Sequence, residues 1–174
     1  MPTEFLLIDG YNIIFADKYM TELAKDDLLL ARDQLINLLE NYKGFKDISV
    51  ILVFDAFKVH NGIEKIYDTG NIIIIYTAEA ETADAYIERT VLDYIKIKNS
   101  KVSVATSDSI EQLIIMSKGA ERISARSLLM DLKKARADIS KKVQQTRPIK
   151  NNAFMDLLDK DTAELLEKMR LRKK

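Results

Sequence analysis

Hydrophobic positions along this chain follow two rhythms. Short unbroken apolar runs occur as LLI before Asp9, VILVF before Asp55 and IIIIY ending at Tyr76. Elsewhere apolar residues recur every three or four positions, as at Leu28, Leu35, Leu39 and Tyr42. Runs of the first kind read as strands buried on both faces, and the second spacing reads as helix. The pattern predicts strands over Glu4 to Asp9, Ser49 to Asp55, Asn71 to Tyr76, Lys101 to Ala105 and, briefly, Glu121 to Ile123. It predicts helices over Asp26 to Tyr42, Thr82 to Asn99 and Asp108 to Lys118, and from a Ser124 cap to about Asp138, with Gly44 and Gly119 as stops. Such alternation argues for an α/β fold: a mostly parallel sheet of about five strands with helices on both faces. A hinge is expected at KNN after Pro148, dividing a domain at 1–147 from a helical extension at 148–174.

Three of the predicted strands lead into acids. The first ends in Asp9, the second in Asp55, and the fourth runs into TSD, with Asp108 opening a helix. In a parallel sheet the strand C-termini share one edge, where ligands bind at the point of topological reversal. A fourth acid comes from EAETADAYIER, where Asp84 heads the helical stripe of Ile87, Val91 and Ile95, with Glu81 just before it. Each acid also has an ordinary reading. Asp108 and Glu111 form a capping-box spacing, Asp84 favours a helix N-terminus, and Asp9-Gly10 is turn chemistry. Together, four converging carboxylates repel one another and call for cations. Oxygen ligands without cysteine or a histidine pair suit Mg²⁺ or Mn²⁺. Gly10 then lets the backbone turn tightly, and Asn12 can hydrogen-bond a neighbouring carboxylate or a phosphate.

Composition narrows the picture. The chain has 174 residues, enough for one domain with a proper core, and no cysteine, which excludes disulfides and thiolate metal sites. That fits a reducing cytoplasm, and no signal peptide or membrane-length apolar run is expected. The net charge is zero but divided. From Lys133 onward there are thirteen Lys and Arg against six Asp and Glu, leaving fourteen against twenty-one before it. A basic tail on an acidic body points to nucleic acid or an acidic partner, or to a solvated helix end.

The segments LIDGYNIIF, ARDQLI, VILVFDA, TAEAETADAYIER, VATSDSIEQ and GAERISARSLLMDL occur in an order that resembles the YacP-like proteins of the NYN group, in the PIN-like nuclease superfamily. The resemblance runs from about Leu6 to Leu132. It implies a PIN-like three-layer α/β/α sandwich and a cytoplasmic, metal-dependent endoribonuclease acting on mRNA in association with the ribosome. By the same resemblance Asp9, Asp84 and Asp108 are the catalytic acids, Asp55 and Glu81 further metal ligands, and Asn12 and Ser107 supporting residues. The stretch FKVHNGIEKIY departs from the pattern by being less Gly-rich, which puts substrate contacts there in question.

The mechanism so implied is metal-assisted phosphodiester hydrolysis, in which no histidine base is required, and the lone His60 reads as a surface residue. Two rivals stand beside it. One is a PIN-like protein that only binds RNA or ribosomes. The other is a receiver-like phosphorylatable module, which would want paired acids after the first strand and a lysine after the last, where this chain has Ser124 and Ala125. RNA or ribosome contact is expected from Arg170, Arg172, Lys173 and Lys174, or from the loop between Lys58 and Lys65. Arg32 lies near the apolar stripe of its helix, so it is expected to be structural, with Glu88 as its partner.

Overall fold

A computed structural model describes residues 3–55, 63–108 and 115–145. The strands are β1 (Thr3–Asp9), β2 (Ser49–Phe54), β3 (Lys65–Asp68), β4 (Ile72–Tyr76), β5 (Ser100–Thr106) and β6 (Glu121–Ser124). They form one sheet in the order β3-β4-β2-β1-β5-β6, parallel throughout except for the β3–β4 pair. The helices are α1 (Gly10–Ala16), α2 (Lys18–Asp26), α3 (Leu28–Phe45), α4 (Ala83–Ile95) and α5 (Ala125–Gln145), with a further helical turn at 115–117.

Alternation along the strands divides the core into two. Leu6, Ile8, Leu52, Phe54 and Ile74 pack with α1, α3 and α5, while Leu7, Ile51, Val53, Ile75 and Val104 pack with α4 and Ile115. This is the expected three-layer arrangement of helices on both faces of a sheet. Chain connection runs outward from β1 through β2 to β4, then crosses back to β5 and β6. The reversal therefore lies between β1 and β5, whose C-terminal ends stand side by side with Ile8 opposite Ala105.

Several local expectations are corrected. The sheet has six strands: β3 pairs antiparallel at the edge, joined to β4 by a tight loop in which Asp68 accepts from the Gly70 N–H at 2.7 Å and Gly70 takes a positive φ. Residues 10–26 form two helices. Asp9 caps α1, Asp17 caps α2 through the N–H groups of Tyr19 and Met20, and Asp27 caps α3 through those of Leu29 and Leu30. A short side-chain acceptor at each of these points satisfies the first free N–H groups. Gly44 lies inside α3, which runs on to Phe45 and is capped by Lys46, so it stops nothing. Gly119 does take a positive φ directly after the 115–117 turn.

Gly10 also has a different role from the one its position implied. It opens α1 without a left-handed φ, and a Cβ there would stand within 2.9 Å of three atoms of the Phe54 ring. The residue is small because α1 crosses the end of β2 closely, not because the chain reverses sharply.

Candidate active site at the sheet reversal

β1 carries Asp9 to the sheet edge because its neighbours are buried. Leu7 and Ile8 have no exposure, and burying each contributes about 1.5–3 kcal/mol. Asp9 itself is only 3% exposed. Burial pushes its pKa from 3.8 up to about 6, against two hydrogen bonds from Asn12 and with the nearby Asp84 carboxyl adding to the rise. At about 1.4 kcal/mol per unit, that cost is on the order of 3 kcal/mol, less than the gain from the buried strand.

Asn12 holds Asp9 from two directions. Its backbone N–H donates to Oδ1 at 3.0 Å and its side-chain amide to Oδ2 at 2.6 Å. Its own Oδ1 accepts from the Ser107 hydroxyl, which spans the reversal from the end of β5. The DGYN segment is thus a helix cap and a site scaffold at once.

Asp84 arrives from the first turn of α4. Thr82 caps that helix through the Ala85 N–H at 3.2 Å, and Asp55 Oδ1 accepts from the Ala83 N–H. The preceding turn is fixed by the Thr77 hydroxyl donating to the Glu81 carbonyl at 2.6 Å. Ile87 and Val91 are fully buried against the sheet, so the half-buried Asp84 faces the strand ends. It lies near Asp9, whose carboxyl pKa its own carboxyl helps to raise. The pKa of Asp55 is raised by burial, against the Ala83 hydrogen bond, with a contribution from the charge of Asp9.

The other expected residues are placed less centrally. Asp108 is exposed, two residues beyond β5, and its N–H donates to Thr106 Oγ1 at 3.1 Å. Glu81 is held by Arg89 through bonds of 2.9 and 3.1 Å, so here it partners a cation and not the other acids. Lys65 lies on β3. Lys58, His60, Glu111, Arg170, Arg172, Lys173 and Lys174 fall outside the described residues. Among the described residues no group of three acids is gathered as a metal cage. The set that does meet is Asp9 with Asp84, with Asp55 close by.

Among the described residues the carboxylates of Asp9 and Asp84, with Asp55 near, supply anionic oxygens at this point, while the Asn12 N–H groups are turned to Asp9 and its amide oxygen is held by the Ser107 hydroxyl. Two neighbouring carboxylates, one of them buried, fit a hard divalent cation, which would relieve their repulsion.

The YacP-like NYN domain model matches residues 6–171. The chain belongs to that family. It is 37% identical over 142 residues to the uncharacterized protein YacP of Bacillus subtilis, covering 82% of each. Two crystal structures of Rae1 (YacP) from the same organism superpose with a TM-score of 0.72. One, of a tryptophan-to-leucine mutant, is 31% identical and covers 96% of this chain and 99% of that one; the other is 34% identical and covers 95% and 94%. Membership in this NYN family of PIN-like proteins supports a nuclease-type function on RNA. No helix among the described residues is long and apolar enough to cross a membrane.

One functional-looking group was not read from the sequence. Arg32, expected to pair with Glu88, instead sits among aromatic rings on the other face of the sheet, while Glu88 pairs with Lys118 at 2.8 Å. The aromatic residues come from elements far apart in the chain, so no local pattern announces the cluster. The DTGN turn signal could have revealed β3, and with it Tyr67.

Proposed function

We propose that the protein is a metal-dependent endoribonuclease that hydrolyses RNA phosphodiester bonds. The observation that carries this reading is the buried Asp9, held by Asn12 at the reversal of the sheet with the Asp84 carboxyl near it. Asp9, Asp84 and Asp108 would hold Mg²⁺ or Mn²⁺, with Asp55 beside them. A divalent cation bound there supplies an activated water and neutralises charge on the scissile phosphate.

The chain's own residues prepare that chemistry. Asn12 fixes both oxygens of Asp9 and leaves each a lone pair facing outward. Ser107 orients the Asn12 amide so that its N–H groups, not its oxygen, face Asp9. Asp55 anchors the start of α4 and so sets the position of Asp84. Asp9 would hold the cation as a carboxylate, its raised affinity for a proton being offset by the positive charge beside it. The overall hydrolysis would add a water oxygen to phosphorus, break the P–O bond to the leaving oxygen and pass a water proton to that oxygen.

The substrate reading extends to mRNA on the ribosome. The support is the basic excess after Lys133, which would contact rRNA phosphates through Arg170, Arg172, Lys173 and Lys174. The test incubates labelled RNA, alone and with ribosomes, with Mg²⁺, Mn²⁺ or EDTA, using wild type and Asp84→Asn. Cleavage by wild type that requires metal and disappears in Asp84→Asn is expected. Equal cleavage by the variant overturns the assignment of the chemistry to this site, and no cleavage by wild type under any of these conditions favours a protein that only binds RNA. Charge reversal at the four tail positions should lower ribosome co-sedimentation, and unchanged pelleting with unchanged salt dependence removes the tail as anchor.

A further inference from the structure

Arg32 is a buried cation, 9% exposed, with no anionic partner among the described residues. Its guanidinium lies 5.2 Å from the Tyr11 ring and 5.6 Å from each of the Phe54 and Tyr76 rings. Nη2 donates to the Tyr11 hydroxyl, and Nε has no partner among the described residues. Ring faces return part of the cost of desolvating a cation, but not all of it. Arg32 therefore brings positive charge to the opening it lines.

That opening is a cavity of about 410 Å³ shared by Arg32, Lys65, Tyr67, Ile74 and Tyr76. Strand register explains the grouping. Lys65 stands opposite Tyr76 and Tyr67 opposite Ile74, so all four side chains share the α3 face of the sheet. Every residue of β3 is exposed, so this edge of the sheet offers its side chains to solvent. Tyr67 meets Tyr76 edge to face, with centroids 5.8 Å apart, and remains 51% exposed. An open aromatic ring with two cations beside it matches the base and phosphate of a nucleotide.

The cavity adjoins the acids. Tyr76, which lines it, stands opposite Phe54, the residue before Asp55, and Tyr11, which holds Arg32, is two residues past Asp9. By alternation the acids lie on the α4 face and the cavity on the α3 face, separated by the C-terminal edge of the sheet.

We propose that this cavity is a subsite for one nucleotide of single-stranded RNA flanking the cleaved bond. The base stacks on Tyr67, Lys65 takes the phosphate, and Arg32 supplies charge from the floor. The subsite rests on the ribonuclease reading above.

The test measures binding of a labelled single-stranded RNA oligonucleotide in EDTA, and KM and kcat for its cleavage with metal. It compares wild type, Tyr67→Ala, Tyr67→Trp and Lys65→Gln. Both side chains are exposed, and unchanged Tm confirms folding. Tyr67→Ala should weaken binding at least about fivefold and raise KM with kcat held, and Tyr67→Trp should restore both. Lys65→Gln should flatten the log Kd against log salt slope by about 0.7. If wild type cleaves RNA but all variants share its affinity, KM and salt slope, the subsite is overturned and the ribonuclease reading stands. If wild type neither binds nor cleaves RNA, with or without ribosomes, the ribonuclease reading fails and the subsite falls with it.

Discussion

The Phe54 ring occupies the space where a side chain on Gly10 would stand: an added Cβ would lie within 2.9 Å of three of its atoms. The ring cannot move aside freely, because it is fully buried and packs against Tyr11 and Tyr76, with centroids 5.1 and 5.5 Å away. Gly10→Ala should therefore destabilise the protein by about 1–3 kcal/mol, as overpacking does. It should also impair cleavage, since α1 carries Asn12. Urea unfolding that matches wild type would show the crossing to be looser than described.

Asp84→Asn should abolish cleavage and leave stability unchanged or raised at pH 7. The linked group is Asp9, whose folded pKa of about 6 exceeds its ordinary 3.8. Between those values the folded state binds more protons than the unfolded state. Asp9 therefore removes stability as pH rises from about 4 to 6, and the loss persists above 6. Asp9→Asn lacks this limb, so its stability advantage over wild type should grow across the same window in EDTA. A difference independent of pH would contradict the assignment. Mg²⁺ or Mn²⁺ should raise the Tm of wild type but not of Asp84→Asn.

Asp17 gives the opposite pH dependence. Its burial opposes ionisation, but the Lys133 ammonium at 2.9 Å and the N–H groups of Met20 and Tyr19 prevail and hold its pKa below 3.8. Its contribution is present above about pH 4 and is lost as pH falls through the depressed folded value. Asp17→Ala removes a helix cap and should cost about 1–2 kcal/mol at pH 7, with the difference shrinking in acid. Lys133→Met should cost less than about 1 kcal/mol, because the lysine is largely exposed. Chemical denaturation at pH 7 and pH 3 checks both.

Arg32→Lys should destabilise by about 1 kcal/mol, because an ammonium cannot reproduce the planar stacking among three rings or the bond to Tyr11. Glu88→Gln removes only the half-exposed pair with Lys118 and should cost less. The reverse ranking in thermal unfolding would show the cluster around Arg32 to contribute less than the Glu88–Lys118 pair.

The residues decided by themselves where most elements lie. Unbroken apolar runs such as VILVF and IIIIY can satisfy their side chains only in a sheet covered on both faces, so strand identity and parallel architecture were legible. The position of Asp9 was legible for the same reason, because burial of Leu7 and Ile8 commits the next residue to the edge. The stripe of Ile87 and Val91 likewise fixed the side of α4 from which Asp84 projects. The caps at Asp9, Asp17 and Asp27 were local too, but the helices they start are short and weakly periodic.

Tertiary structure alone decided the partners. Ser107 meets Asn12 across 95 positions because the chain crosses back beside β1, and no local preference encodes strand order. Arg32 lies among Tyr11, Phe54 and Tyr76 for the same reason, although Glu88 was equally plausible by periodicity. Periodicity reports which way a side chain faces within its own element. Which ring, carboxylate or cation it then meets depends on packing between elements distant in the chain, where small differences in shape and desolvation choose among them.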